Sequence, residues 1–278
     1  TDLFMTLTAD YADYVLPVCT YLEHSDLVLG PMPYLQLQDK VIEPLYESRS
    51  DAAIVRALAE KLGLKEHFDK SEEELVDLLL ASGHPSVERT SVETLRGQGP
   101  IATKAPPSRE KEVRFRTPSG KIEFYVERLM PLGQALPVYN EPLESNRQPL
   151  AERYPLVYVQ GHSKFRTHSM FANVGWMLEI NPEPEAEINP VDAEARGIKS
   201  GDVVVVFNDR GMAKLKAKLS EAIRPGVVNI TEGWWSSQFA KGGVNVLTHE
   251  TVNPAQEVIF EPNMAFNDVL VEVKKAED

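Results

Sequence analysis

The apolar positions follow two different periods along the chain. Between residues 50 and 82 they recur every three or four positions, the spacing of one face of a helix. Ala53, Ile54, Ala57, Leu58 and Leu62 share such a face, with Ser50 as its N-cap and Gly63 past its end, so a helix is predicted over 51–62. A second helix begins at Ser71, takes Glu72, Glu73 and Glu74 into its first turn, and continues through Leu75, Leu78 and Leu79 to about Ser82. From Tyr154 onward the pattern changes to short β-rich runs divided by turn residues: Leu156–Val159, Val203–Phe207, Ala213–Leu219, Val227–Thr231 and Val269–Val273. A short helix interrupts them, with Asn189 as N-cap, Pro190 at its first position and Gly197 at its end. This half reads as an all-β barrel.

The remaining stretches are less regular. Residues 2–17 resemble the end of one strand, a helical turn and a second strand of an open α/β sheet, and 21–49 an irregular loop with a short hairpin. Residues 83–109 form a long connection with one helical turn near Val92–Arg96. Val113, Phe115, Ile122 and Phe124 flank the turn Thr117-Pro118-Ser119-Gly120-Lys121 and predict a hairpin. The fold class is therefore α+β, divided as 1–65, a connecting region 66–153, and the barrel 154–278.

Composition narrows the function. A chain of 278 residues with 42% hydrophobic and 26% charged positions can bury proper cores. Its net charge of −13 argues against a nucleic-acid partner, because binding to phosphate backbones rests on lysine and arginine. No run reaches the ~20 apolar residues of a membrane span. The single cysteine, Cys19, excludes a disulfide or a cysteine-ligated cluster within these residues, and its apolar surroundings predict a buried, inert thiol. The chain begins at Thr1 as though cut from something longer.

Against that acidic background, Gly161-His162-Ser163-Lys164-Phe165-Arg166-Thr167-His168-Ser169 stands out. It follows a predicted strand and gathers one glycine, three hydroxyls, two imidazoles, a lysine and an arginine. Glycine permits close approach of backbone to ligand, hydroxyls and free N–H groups donate to phosphate oxygens, and arginine makes a forked contact. The same loop could be only a solvated connection. His162 and His168 could pair on a metal, but neither an HExxH spacing nor a third ligand accompanies them in sequence, so no metal ligand is assigned.

The order of several short motifs resembles the C-terminal half of the molybdopterin oxidoreductases of the dimethyl-sulfoxide-reductase superfamily. They are Asp2-Leu3-Phe4-Met5-Thr6-Leu7-Thr8-Ala9, Arg49-Ser50-Asp51, Thr117–Glu123, Gly161-His162-Ser163, Arg166-Thr167-His168-Ser169, Ile188-Asn189-Pro190, Arg224-Pro225-Gly226 and Asn245-Val246-Leu247-Thr248. The resemblance implies a six-stranded double-psi barrel for 154–278 and a partial Rossmann-like segment in 1–65. It implies molybdopterin guanine dinucleotide (as the bis form, with Mo or W) as cofactor, and a [4Fe-4S] cluster only in the parent enzyme. It further implies, as partners, N-terminal domains carrying the metal ligand and an iron–sulfur electron-transfer subunit. Asp2 and Thr6 then stand where the family contacts the nucleotide, a carboxylate being suited to guanine N1–H and amine. Gly161, His162, Ser163, Arg166, Thr167, His168 and Ser169 serve the pyrophosphate. Asn245, Phe266 and Asn267 lie near the pterin, and Trp234 either lines the cofactor edge or fills the barrel mouth.

Two functions follow. The leading one is the cofactor-binding part of a molybdenum or tungsten oxidoreductase, without catalytic residues of its own and inactive alone. The rival is a stand-alone double-psi module for protein interactions. Substrate and compartment stay open.

Overall fold

The structure, a computed structural model, describes residues 1–29, 34–84, 87, 90–103, 115–252 and 264–277. The chain divides into two compact units, 1–114 and 115–278.

In the first unit the two strands expected within 2–17 reduce to single parallel bridges, Asp2 with Pro17 and Val18 with Arg49. Pro17 has no N–H with which to extend a ladder. Ala9–Tyr11 supplies the helical turn between them. The short hairpin is present as β1 (Asp26–Leu29) and β2 (Tyr34–Gln38), antiparallel, and β2 also pairs with β3 (Ile101–Ala102). Helix α1 (Asp51–Lys61) is capped as predicted, the Ser50 hydroxyl accepting from the Ala53 N–H at 3.2 Å. Helix α2 (Glu72–Leu80) starts with a reciprocal capping box between Ser71 and Glu74. The turn expected near 92–96 is a full helix, α3 (Val92–Gln98), begun by Ser91. Cys19 is buried, and loss of solvation pushes its thiol up, as suits an inert side chain. Glu23 is buried as well. It accepts from the Thr20 hydroxyl and N–H, each at 2.7 Å, and from the Leu45 N–H at 2.6 Å, bonds that hold its carboxyl below the usual range.

The second unit is a barrel. Its strands are β4 (Leu156–Val159), β5 (Glu185–Ile188), β6 (Val203–Phe207), β7 (Met212–Leu219), β8 (Val227–Ile230) and, after the short β9 (Lys241–Gly242), β10 (Val269–Lys275). The order β5-β8-β4-β10-β6-β7 is closed by β5 pairing with β7, giving six strands of mixed direction. The β4–β8 and β5–β7 pairs are parallel and the other pairs antiparallel. Closure leaves each main strand with a neighbour on both sides, which removes the free edge of an open sheet. Alternate residues point inward, so Val204, Val206, Val228, Ile230, Val269 and Val271 are wholly buried. Each such side chain contributes about 1.5–3 kcal/mol.

Strand β5 was not expected, and neither was α4 (Gly175–Ile180); α5 (Pro190–Glu194) has the predicted Asn189 cap and N1 proline. The turn at 117–121 is present, with the Thr117 hydroxyl donating to the Lys121 carbonyl at 2.6 Å. The expected hairpin arm at Val113 lies outside the described residues, and the arm at Ile122 and Phe124 forms no strand. Glu144 accepts from Arg210 and from the Leu270 N–H, and so ties the segment before the barrel to β10. No helix among the described residues is long and apolar enough to cross a membrane.

Candidate functional site

Because β4 and β8 run parallel, the loops that leave their carboxyl ends emerge side by side. Asn229, a buried polar residue in an otherwise apolar strand, joins them. Its Oδ1 accepts from the Gly161 N–H at 2.9 Å, and its amide donates to Glu187 at 2.7 Å. The Glu232 N–H then donates to the Gly161 carbonyl at 3.0 Å. A Cβ at position 161 would stand 3.0 Å from Asn229 Oδ1, tighter than ordinary contact, so glycine suits this approach. The fit is closer still at Gly233. Its φ is 93°, and a Cβ there would meet the His168 carbonyl oxygen at 2.2 Å.

Arg166 is 6% exposed. Its guanidinium carbon lies 3.6 Å from the centre of the Trp234 ring, and its η nitrogens donate to the Asn181 side-chain and main-chain oxygens at 2.6 and 3.2 Å. Such a stack contributes about 2 kcal/mol when desolvated. Burial lowers the guanidinium pKa, yet arginine remains charged. The Arg166 Nε has no hydrogen-bond partner among the described residues. Trp234 is itself buried, its Nε1 donating to Thr231 at 3.2 Å, so the ring acts as a platform.

His162 and His168 come together at the rim. Both Nδ1 atoms face the same oxygen of Glu232, at 2.8 and 3.1 Å. His168 takes a left-handed conformation, φ 51°, to do so. Ser163 accepts from the Phe165 N–H at 3.1 Å, Thr167 bridges Met170, and the Ser169 carbonyl accepts from Trp235 Nε1 at 3.0 Å. The Thr167 and Ser169 side chains are exposed.

A cavity of about 410 Å³ opens here. Residues 161–165 form one wall, Glu183, Glu185, Glu187 and Lys218 another, and Asn181, Asn229, Thr231 and Trp234 complete the lining. Lys218 pairs with Glu187 at 3.1 Å. The loop therefore offers donors while the β5 side offers carboxylate acceptors, an arrangement for a ligand with an anionic part and an N–H edge.

Of the predicted residues, Gly161, His162, Ser163 and Trp234 line this cavity, whereas Arg166, Thr167, His168 and Ser169 do not; the remaining ones lie elsewhere. Asn245 is exposed at the start of a turn whose Leu247 is buried in the core, and Phe266 and Asn267 sit exposed in the turn before β10; none of the three lines the cavity. Asp2 and Thr6 belong to the first unit, where the Asp2 carboxylate accepts from the Leu3 N–H at 2.7 Å and the Thr6 hydroxyl at 3.2 Å. Sequence reasoning missed Asn181, Asn229 and Glu232. A signal existed for Asn229, the one polar residue in Val227-Val228-Asn229-Ile230.

A closed barrel with a polar cavity where two parallel strands end defines a ligand-binding domain. Comparison with known proteins specifies the ligand. Residues 156–259 match the family described as "Molydopterin dinucleotide binding domain", and residues 1–61 match "Molybdopterin oxidoreductase". The putative catalytic subunit of a dimethyl sulfoxide reductase from Halobacterium salinarum is 36% identical over 290 residues, covering 100% of this chain and 33% of the relative. Dimethyl sulfoxide reductase DmsA of Escherichia coli is 36% identical over 286 residues, covering 91% of this chain and 35% of its own length. Among solved structures, acetylene hydratase from Pelobacter acetylenicus superposes with a TM-score of 0.76 at 28% identity, covering 98% of this chain and 39% of that one. The chain thus spans about a third of the length of the curated relatives it matches. It belongs to the molybdopterin oxidoreductases related to dimethyl sulfoxide reductase, and its barrel is their molybdopterin dinucleotide-binding domain. The interaction-module reading is not favoured.

Proposed function

We propose that the barrel holds molybdopterin guanine dinucleotide for an enzyme that exchanges electrons or an oxygen atom with a small substrate. The observation that carries this is Arg166: buried, stacked on Trp234, and left with an unpartnered Nε beside a donor-rich loop. An orphaned buried donor costs about 1–3 kcal/mol, a cost that an acceptor on a bound ligand removes. The residues fit the group. When bound, its metal, Mo or W, supplies the redox chemistry; the polypeptide supplies position and charge.

In this reading Gly161 lets the backbone approach the pyrophosphate, Arg166 and the hydroxyls of Ser163, Thr167 and Ser169 neutralise it, and Trp234 keeps Arg166 in place. His162 and His168 border the same anion. Asp2 with Thr6 reads the guanine, and Asn245, Phe266 and Asn267 approach the pterin. The barrel has double-psi topology in this account, 154–278 is the binding domain, 66–153 connects, and 1–65 is the C-terminal part of a Rossmann-like domain. Relatives' greater length is consistent with further domains of the same enzyme; in this account those domains hold the metal ligand and a [4Fe-4S] cluster, and an iron–sulfur electron-transfer subunit is a partner.

The test is cofactor content of the native protein, measured as metal and released pterin after purification. Arg166→Ala is expected to reduce retention by about tenfold or more, since a bond to a charged group is worth about 1.5–3 kcal/mol. Unchanged metal and pterin in Arg166→Ala would reject the assignment.

A further inference from the structure

We infer that His162, His168 and Glu232 form a binding site for one divalent transition ion of the zinc type. The sequence alone offered two histidines without a third ligand. Folding supplies it, because the loops after β4 and β8 lie side by side and carry Glu232 between the imidazoles. Both Nδ1 atoms face one carboxylate oxygen, at 2.8 and 3.1 Å, and one ligand atom from each residue lies within 4.8 Å of the others. An ion about 2.0–2.2 Å from each atom needs the two nitrogens to draw back from the carboxylate oxygen by a few tenths of an ångström and to stand within about 4 Å of each other.

A second observation points the same way. Glu232 Oε1 is shut off from solvent and has no hydrogen bond among the described residues, although two ring nitrogens stand within 3.1 Å. Two ring nitrogens gathered about one carboxylate oxygen without a hydrogen bond among the three suit a shared cation better than an ion pair.

The frame around the site is set. The His168 carbonyl presses against Gly233, where no Cβ could be accommodated, and this closeness holds Glu232 and His168 in register. The imidazole rings are otherwise open to solvent, so ions can enter and a fourth position stays free for water. Two imidazoles and one carboxylate are the donors of a three-ligand zinc site, and imidazole nitrogen selects zinc, copper or nickel over magnesium and calcium.

The experiment uses the purified 278-residue chain, free of any affinity tag and stripped with chelator. Titration with zinc chloride against a chromophoric competitor is expected to show one equivalent bound. His162→Ala, His168→Ala and Glu232→Gln are each expected to weaken it by about tenfold or more, while His249→Ala leaves it unchanged. Cobalt provides an independent reading: the intense visible bands of a four- or five-coordinate ion are expected in the unaltered chain and absent from His168→Ala. No zinc bound by the unaltered chain, or equal binding by the three variants, would overturn the inference. It does not rest on the cofactor reading, because the zinc titration is made without cofactor.

Discussion

The barrel and the first unit bury their apolar side chains on different terms. In the barrel, inward residues of every main strand are shielded, and a continuous core runs from Leu156 to Val273. In the first unit the cluster of buried residues among those described is small, Leu35 with Val87 and Leu95, while Tyr11 and Tyr14 are 92% and 89% exposed. The difference lies in closure. A sheet that returns on itself gives each strand two partners and each inward side chain a complete shell, whereas single-residue bridges such as Asp2 with Pro17 cannot shield their neighbours. A loop anchored on the barrel therefore has a rigid base, which is what a ligand site needs.

Core truncation probes that contrast most strongly. Ile230→Ala in the barrel is expected to cost about 2–5 kcal/mol, and Leu35→Ala in the first unit about 2, at the low end, because its surroundings can collapse into the space. Urea unfolding followed by hydrogen exchange in each unit checks this; equal losses would break the comparison. Gly233→Ala comes next. Its left-handed φ and the clash with the His168 carbonyl predict a loss of about 1–3 kcal/mol, with faster exchange in 161–169 and 231–235 while the strands keep their protection.

Acid offers a third probe. Burial pushes the Glu144 carboxyl up, but hydrogen bonds from Arg210 and the Leu270 N–H outweigh this and hold it below its usual value. A depressed carboxylate contributes stability that is complete above its unfolded pKa, about 4.3, and disappears as pH falls through the lower folded value. Glu144→Gln should thus cost about 1–2 kcal/mol near neutrality and flatten the barrel's acid limb below pH ~4, read from denaturation midpoints across pH. An unchanged limb would remove Glu144 from the account. The smallest effect expected is Ser71→Ala, about 1 kcal/mol through loss of the α2 capping box, seen as faster exchange in the first turn of α2 alone.

Local signals were readable wherever one side chain meets its own backbone. Ser50, Ser71 and Asn189 announce helix starts because each hydroxyl or amide bonds an N–H two or three residues away. The apolar runs of β4, β6, β7, β8 and β10 were evident for a similar reason. Strand β5 was hidden, since Glu185-Ala186-Glu187-Ile188 carries charge on its outer face and sits among prolines. Glu23 carries no such local signal, and it is a buried clamp that accepts from the Thr20 and Leu45 amides, the latter 22 positions away.

The order of residues by itself determined the helix caps, most barrel strands, the inert thiol and a cation-rich loop in an acidic chain. Tertiary structure alone decided that Arg166 lies under cover on Trp234, that Asn229 pins Gly161, and that Glu232 stands between two histidines. The reason is distance along the chain. Asn229 and Gly161 are 68 positions apart, and only the parallel pairing of β4 with β8 brings such residues within bonding reach.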